Sequence, residues 1–357
     1  MGQPLKEFVN ADSVGVLADG LAAALPGFAR ERFVADSVGA LAAMELKDRV
    51  RHVARTLGGV LGVPFAEAAA ALRACAPGLD MWSGWPATDY VALHGLDHLE
   101  VAMETLAALT PHATAEFAVR PYLERHGTAA LEIMHGWAGS PDAHLRRLAS
   151  EGSRPRLPWA TRVGWLMTPG PTLPILARLR DDPSEYVRRS VANHVNDLAK
   201  DHPEAAVALL AGWRAEGGSH VEKVVRHAVR GLLRDGHPDA LGLVGATPGG
   251  GRVTALTLAA DQVAVGGKLA FTVELAADAP GPLVLRYAVV RPGSRRVFHL
   301  GERTAADAGQ AIAVTKSHSF RPVTTRVEPP GPRTLEIVVN GVVRATAPFR
   351  LTEVENP

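Results

Sequence analysis

With 357 residues, 47% hydrophobic and 21% charged side chains and a formal net charge of +1, the chain has the composition of a folded protein of one or two domains, not of a disordered or membrane-embedded one. The lone Cys75 excludes an intramolecular disulfide and a cysteine-based metal cluster, and no apolar run reaches transmembrane length, so a soluble cytoplasmic protein with no membrane partner is expected. The near-zero net charge conceals local excess: residues 120–200 hold 12 basic and 8 acidic side chains (12 − 8 = +4), and residues 252–357 hold 13 and 9 (13 − 9 = +4). A basic field inside a nearly neutral molecule points to a polyanionic partner, although arginines that only solvate helix faces give the same count.

Residues 1–245 are rich in Ala, Leu and Arg with helical periodicity, punctuated by Pro26-Gly27, Pro77-Gly78, Ser140-Pro141 and Asp182-Pro183. His94, Asp97 and His98 have the spacing of a helical metal motif, but the Glu of zincin metalloproteases is here Gly95 and no third ligand motif follows, so neither metal nor cofactor is expected. Further on, Leu145-Arg146-Arg147-Leu148-Ala149-Ser150-Glu151-Gly152 returns as Val187-Arg188-Arg189-Ser190-Val191-Ala192-Asn193-His194, a period of 187 − 145 = 42. That length suits a two- or three-helix HEAT or armadillo unit. In each copy the apolar residues share one helix face, while Arg147, Glu151 and Arg154, or Arg189, Asn193 and Asn196, fall at i, i+4, i+7 on another. Ser153-Arg154-Pro155-Arg156-Leu157-Pro158-Trp159 then stops the first copy with two prolines and forms a rigid loop carrying two arginines and a tryptophan. Val224–Val229 is a fainter copy. After a linker at 247–251 the period changes to two: Leu269–Leu275, Leu283–Val289 and Leu335–Val339 read as strands, and Asn340-Gly341 as a hairpin turn. The predicted architecture is an all-α solenoid of HEAT-like repeats over 1–246, followed by a small all-β immunoglobulin-like sandwich over 252–357.

The Ser150–Trp159 run, with Asp182–His194 and Asn196-Asp197, resembles the AlkC branch of the HEAT-like-repeat DNA alkylation-repair glycosylases. So do Trp85-Pro86-Ala87-Thr88-Asp89-Tyr90 and Thr114–Leu123; the similar stretches span about residues 80–205 in conserved order. The resemblance implies excision of cationic bases such as 3-methyladenine and 3-methylcytosine from double-stranded DNA, without extruding the lesion into a pocket. Part of that branch also carries an immunoglobulin-like tail.

The chemistry suits the residue types. An N3-methylated base is a good leaving group, so catalysis needs a carboxylate that attracts the developing sugar cation and orients water. Glu151 is the first candidate, with Glu116 and Asp197 as further carboxylates and Trp159 as a ring face for the deoxyribose or the cationic base. Arg120, Arg147, Arg154, Arg156, Arg188, Arg189 and Asn193 are the candidate DNA contacts. Each has a plain structural alternative: Glu151 pairs with Arg147, Glu116 with Arg120, Asp197 with Lys200 or His194, and Trp159 fills the core. Only Lys200 in this region resembles a lyase amine, so a monofunctional glycosylase is expected, monomeric and nucleoid-associated when bound to DNA. In the C-terminal part Arg286, Arg291, Arg295, Arg296, Arg321 and Arg326 suggest a second clamp on the duplex. The competing reading is a noncatalytic HEAT-repeat scaffold for nucleic acid or an acidic protein.

Overall fold

The computed structural model describes residues 3–322 and 328–353. Within them fifteen α-helices precede eight strands. The helices are α1 (Ala11–Ala24), α2 (Arg30–Val38), α3 (Leu46–Leu61), α4 (Phe65–Cys75), α5 (Met81–His94), α6 (Leu99–Leu109), α7 (Arg120–His126) and α8 (Thr128–Trp137). There follow α9 (Ala143–Gly152), α10 (Leu173–Leu179), α11 (Glu185–Leu198), α12 (Pro203–Glu216), α13 (Val221–Ala228), α14 (Arg230–Asp235) and α15 (Pro238–Leu243). None is long and apolar enough to cross a membrane.

Contacts divide the chain into two units. The first runs to His202 and takes in Gly218–Val224; the second joins Pro203–Gly217 to the chain from Val225 onward. By contact, then, α12, α14 and α15 group with the strands rather than with the helices before them.

In the first unit the two sequence copies become α9 and α11, which pack against one another. Leu148 and Ala149 are buried on α9, and Val187, Val191, Val195 and Leu198 on α11, as the helical period requires. Both helices begin after a proline turn, and the first arginine of each Arg-Arg pair folds back onto that turn. Arg146 Nη1 donates to Ser140 O (3.0 Å) and Pro141 O (2.8 Å), and Arg188 Nη1 to Asp182 O (2.5 Å) and Pro183 O (2.9 Å). These carbonyls lie outside the helices, and the guanidinium satisfies them. Arg146 also ties the copies together through Asp182, with Nε 2.6 Å from Oδ2 and Nη2 3.1 Å from Oδ1.

The second unit carries the sandwich. Its strands are β1 (Gly251–Leu258), β2 (Gln262–Ala264), β3 (Lys268–Ala277), β4 (Gly281–Arg291), β5 (Ser294–Ala305), β6 (Ala311–Ser319), β7 (Gly331–Val339) and β8 (Val342–Thr352). One sheet has the order β1-β3-β6 and the other β2-β8-β7-β4-β5, with β2 parallel to β8 and all other pairs antiparallel. Leu269, Phe271, Val273 and Leu275 face Leu283, Leu285, Tyr287, Leu335, Ile337 and Val339 in a common core. Asn340 and Gly341, with φ of 44° and 79°, turn β7 into β8. Asn340 also accepts from Val284 N at 2.7 Å and donates to Thr247 O at 2.7 Å, so the turn anchors the segment that leads into β1.

Candidate active site

The Ser153–Thr161 loop owes its shape to Arg120 at the start of α7. That side chain is 1% exposed; its Nε donates to Thr161 O (2.9 Å) and its Nη1 to Gly152 O (3.0 Å) and Arg154 O (2.6 Å). Burial lowers its pKa to about 10, against the opposing pull of Glu124 and with a further push from Arg154. Ser153 Oγ closes the end of α9 on Ala149 O at 2.7 Å. Carried on this frame, Trp159 is 63% exposed and has φ of 65°, a left-handed conformation costly for a bulky side chain. Lys47 Nζ, reaching from α3, holds the Trp159 carbonyl at 2.8 Å.

Beside the loop, three carboxylates from separate elements meet around two arginines. Glu151, 6% exposed, receives Arg154 Nη1 at 2.6 Å and Arg147 Nη2 at 3.6 Å on Oε1, and the Ser190 hydroxyl at 2.6 Å on Oε2. Asp197, 2% exposed, receives Arg154 Nη2 at 2.8 Å on Oδ2 and Lys200 Nζ at 3.1 Å on Oδ1. Glu116 pairs with Arg147 Nη1 at 2.5 Å, and Thr114 Oγ1 donates to the same carboxylate at 3.0 Å. Burial pushes the Glu151 carboxyl up, but Arg147, Arg154 and the Ser190 hydroxyl outweigh it and hold the group below its ordinary value. For Arg154 burial opposes the charge as well, and Glu151 and Asp197 overcome it. The result is a desolvated cluster in which the Glu151 carboxylate stays charged, with Tyr186 stacked over Arg147 at 5.3 Å and 45% exposed.

The whole chain has relatives of the same length and arrangement. Residues 252–353 match the family model described as "Uncharacterised protein YhaZ, C-terminal Ig-like domain". The Bacillus subtilis protein YhaZ is 33% identical over 356 residues, covering 97% of this chain and 99% of its own. The solved structure of Pseudomonas fluorescens alkylpurine DNA glycosylase AlkC, bound to DNA containing an abasic site analog, is 33% identical and superposes with a TM-score of 0.90 over 98% of this chain and 100% of that one. The chain belongs to the AlkC family.

In this AlkC-family chain Glu116, Glu151 and Asp197 converge, although 81 residues separate the first from the last (197 − 116 = 81). Several sequence expectations need correction. Arg120 does not pair with Glu116 or reach solvent, because its donors hold the loop from inside. Arg154 is buried between two carboxylates, and Arg188 is buried on the carbonyls before α11, so neither presents a guanidinium to a phosphate. Arg147 and Arg156 are partly exposed but paired, Arg156 with Asp201 at 2.6 Å. Arg189 is exposed and Asn193 half-buried on the polar face of α11. His94 ends α5 and His98 precedes α6, so no single helix presents both. His194 does not serve Asp197; its Nδ1 donates to Ser150 O at 2.9 Å. In the sandwich Arg286 is buried against His299, while Arg291 and Arg296 pair with Glu328 and Arg295 with Glu336. Arg321 is exposed, and Arg326 lies outside the described residues.

Sequence reasoning missed Ser190 and Tyr186. Ser190 had a signal: it stands where the first copy has the apolar Leu148 (190 − 42 = 148), a hydroxyl in a core register. Tyr186 had none beyond lying just before the repeat.

Proposed function

We propose that the chain is a DNA glycosylase that hydrolyses the N-glycosidic bond of cationic alkylated bases in duplex DNA. The observation that carries the reading is the Glu151 carboxylate, buried yet held charged by Arg147, Arg154 and Ser190 in a cluster with Glu116 and Asp197. Departure of a cationic base leaves a sugar with oxocarbenium character. A fixed carboxylate in a desolvated site attracts that developing charge more strongly than water does, and needs no reorganisation when it forms. Glu151 takes this role. Glu116, one face of which is free of Arg147, orients the attacking water and accepts its proton. Asp197 acts through Arg154, fixing the guanidinium that fixes Glu151. Trp159 lays its exposed ring against the sugar or the base, where a cation gains from the π face.

The similar Pseudomonas fluorescens protein is an alkylpurine DNA glycosylase bound to DNA, which supports the substrate class. N3-methylated adenine and cytosine satisfy the demand for a leaving group that is already cationic. The cluster lies beside a protruding loop, which favours attack on a lesion left in the DNA path over one swung into a pocket. Lys200 pairs with Asp197, which supports reading the enzyme as monofunctional, with no lysine acting in strand cleavage. Arg189, Asn193 and Arg156 remain the proposed contacts to the DNA backbone, Arg156 by exchanging Asp201 for phosphate.

Purified protein incubated with methylated duplex DNA should release free 3-methyladenine and leave abasic sites without strand breaks. Glu151→Gln, which keeps the volume and removes the charge, should slow release by about 10²–10³-fold while duplex affinity stays within a few-fold. Binding without release by the wild type would return the protein to the class of noncatalytic scaffolds.

A further inference from the structure

One stripe of α11 serves the carboxylate cluster along its whole length. Tyr186, Ser190 and Asp197 stand at i, i+4 and i+11, within an arc of about 40° around the helix axis. Asp197 meets Arg154, and Ser190 donates to Glu151. The first turn of the same stripe carries Tyr186, whose ring lies over the Arg147 guanidinium at 5.3 Å. Arg154, Glu151 and Arg147 are thus each met by one face of one helix.

Arg147 is the cation that two carboxylates share. Its Nη1 pairs with Glu116 at 2.5 Å and donates to Thr114 Oγ1 at 3.1 Å, and its Nη2 lies 3.6 Å from Glu151. The N–H groups of a guanidinium point outward in its plane, so these contacts use the edge and leave the face to the ring. The ring is itself held: His144, in the first turn of α9, packs edge-on against it at 5.6 Å and 64°. Asp142 Oδ1, which caps α9, accepts from His144 N at 2.7 Å. Burial raises the Tyr186 hydroxyl above its ordinary value, with Arg147 opposing and Glu116 and Glu151 assisting, so the phenol stays neutral within the field of the same three charges.

A neutral ring over a guanidinium does two things. Its π face attracts the cation, the more so where water is scarce. It also keeps water off the side of Arg147 that the carboxylates leave open, and charges less screened by water interact more strongly.

We propose that Tyr186 is a positioning residue of this site: it acts through Arg147, fixing the guanidinium that holds Glu116 and Glu151 in place for the sugar cation and its water. What the two carboxylates do there rests on the glycosylase reading; the hold of Tyr186 on Arg147 does not.

Single-turnover release of 3-methyladenine from methylated duplex DNA tests the role. Tyr186→Phe keeps the ring and should match wild type. Tyr186→Leu keeps an apolar group but removes the π face, and release at saturating protein should fall about 5- to 30-fold while duplex affinity stays within about two-fold. In an Arg147→Gln background the same Tyr186→Leu change should have no further effect, because the partner through which it acts is gone. A wild-type rate in Tyr186→Leu, an equal loss in Tyr186→Phe, or the same loss with Arg147 absent overturns the proposal. A loss confined to duplex affinity does so too, and makes the ring a DNA contact. A second readout needs no substrate: in arginine-labelled protein without DNA, NMR should show the Arg147 guanidinium protons exchanging with solvent faster in Tyr186→Leu, by a similar factor, and as slowly as wild type in Tyr186→Phe. No base release by the wild type, with exchange that responds to Tyr186→Leu, would overturn the glycosylase reading and keep the hold on Arg147. Base release with exchange indifferent to Tyr186 would do the reverse.

Discussion

Glu151 keeps its charge where burial opposes it, and that opposition is what makes the carboxylate useful. Its folded value is depressed, so its contribution to stability is present above the unfolded value, about 4.3, and is lost as pH falls through the lower folded value. His194 works in the other direction. Burial lowers it to about 4, its Nδ1 donates to Ser150 O, and its buried Nε2 has no partner. An unfolded chain protonates this imidazole near pH 6.5 whereas the folded one resists until about pH 4, so stability declines as pH drops through that window, by roughly 3 kcal/mol. Denaturant unfolding of wild type and His194→Gln across pH 7.5 to 4 should show a flatter profile for the variant, even though it starts less stable. Identical slopes would mean that another group sets the acid sensitivity. Trp159 offers the converse test. Being 63% exposed, it contributes little packing, so Trp159→Ala should shift unfolding by less than about 1 kcal/mol while base release falls markedly. A large loss of thermal stability would instead mark the ring as part of the fold.

At the scale of elements, the repeat separates two jobs that the sequence writes as one Arg-Arg pair. Arg146 and Arg188 bind the proline turns that start their own helices, and Arg147 and Arg189, one residue on, face the polar side. The 100° step between adjacent helical residues makes this division unavoidable. The end of α9 is equally constrained. A Cβ on Gly152 would lie 2.6 Å from Val119 Cγ2 and 3.1 Å from Met134 Cε, so this glycine lets the helix terminus, and with it Glu151 and the loop, approach α7 and α8. Overpacking of this kind costs about 1–3 kcal/mol and outweighs a gain in helix propensity of at most about 1. Gly152→Ala should therefore melt below wild type and lose base release beyond what its folded fraction explains. A variant as stable and active as wild type would show that the neighbouring side chains yield easily.

For the whole molecule, the change from helix to strand and the division by contact do not coincide. A truncation ending at Thr247 falls at the change of period, where the linker suggests a clean cut between two cores. It would leave α14 without β5, on which it packs; Arg226 of α13 would lose Glu302, at 2.9 Å, and Gly236 would lose the backbone of Gly341. Thermal unfolding of the truncated protein should begin at least roughly 5 °C below that of the full chain, with the helices after His202 the first to lose hydrogen-exchange protection. An unchanged melting curve would restore the linker as the true boundary. Pairing of Arg291, Arg295 and Arg296 with Glu328 and Glu336 also weakens the case for these arginines as a basic clamp, since each already has a carboxylate partner in place.

Local periodicity was enough to read the architecture. The 42-residue repeat became α9 and α11, the alternation of Leu269–Leu275 and Leu283–Val289 became β3 and β4, and Asn340-Gly341 turned a hairpin, because each pattern is a property of a few neighbouring residues. The carboxylates, too, were legible as residue types suited to a cationic transition state. Partnership was legible only where helical spacing sets it, as for Glu151 with Arg147 and Asp197 with Lys200, and not across elements. Glu116 binds Arg147 rather than Arg120, Arg154 bridges Glu151 and Asp197 rather than facing solvent, and Asp89 meets Phe117 and Trp159 around a cavity. Apart from Glu151 and Arg154, which are only three positions apart, those choices join residues about 30 to 70 positions apart in sequence, where helical spacing carries no information. They are decided by which buried donor can reach which acceptor once the helices have packed, since a guanidinium or carboxylate taken out of water must find its partner there.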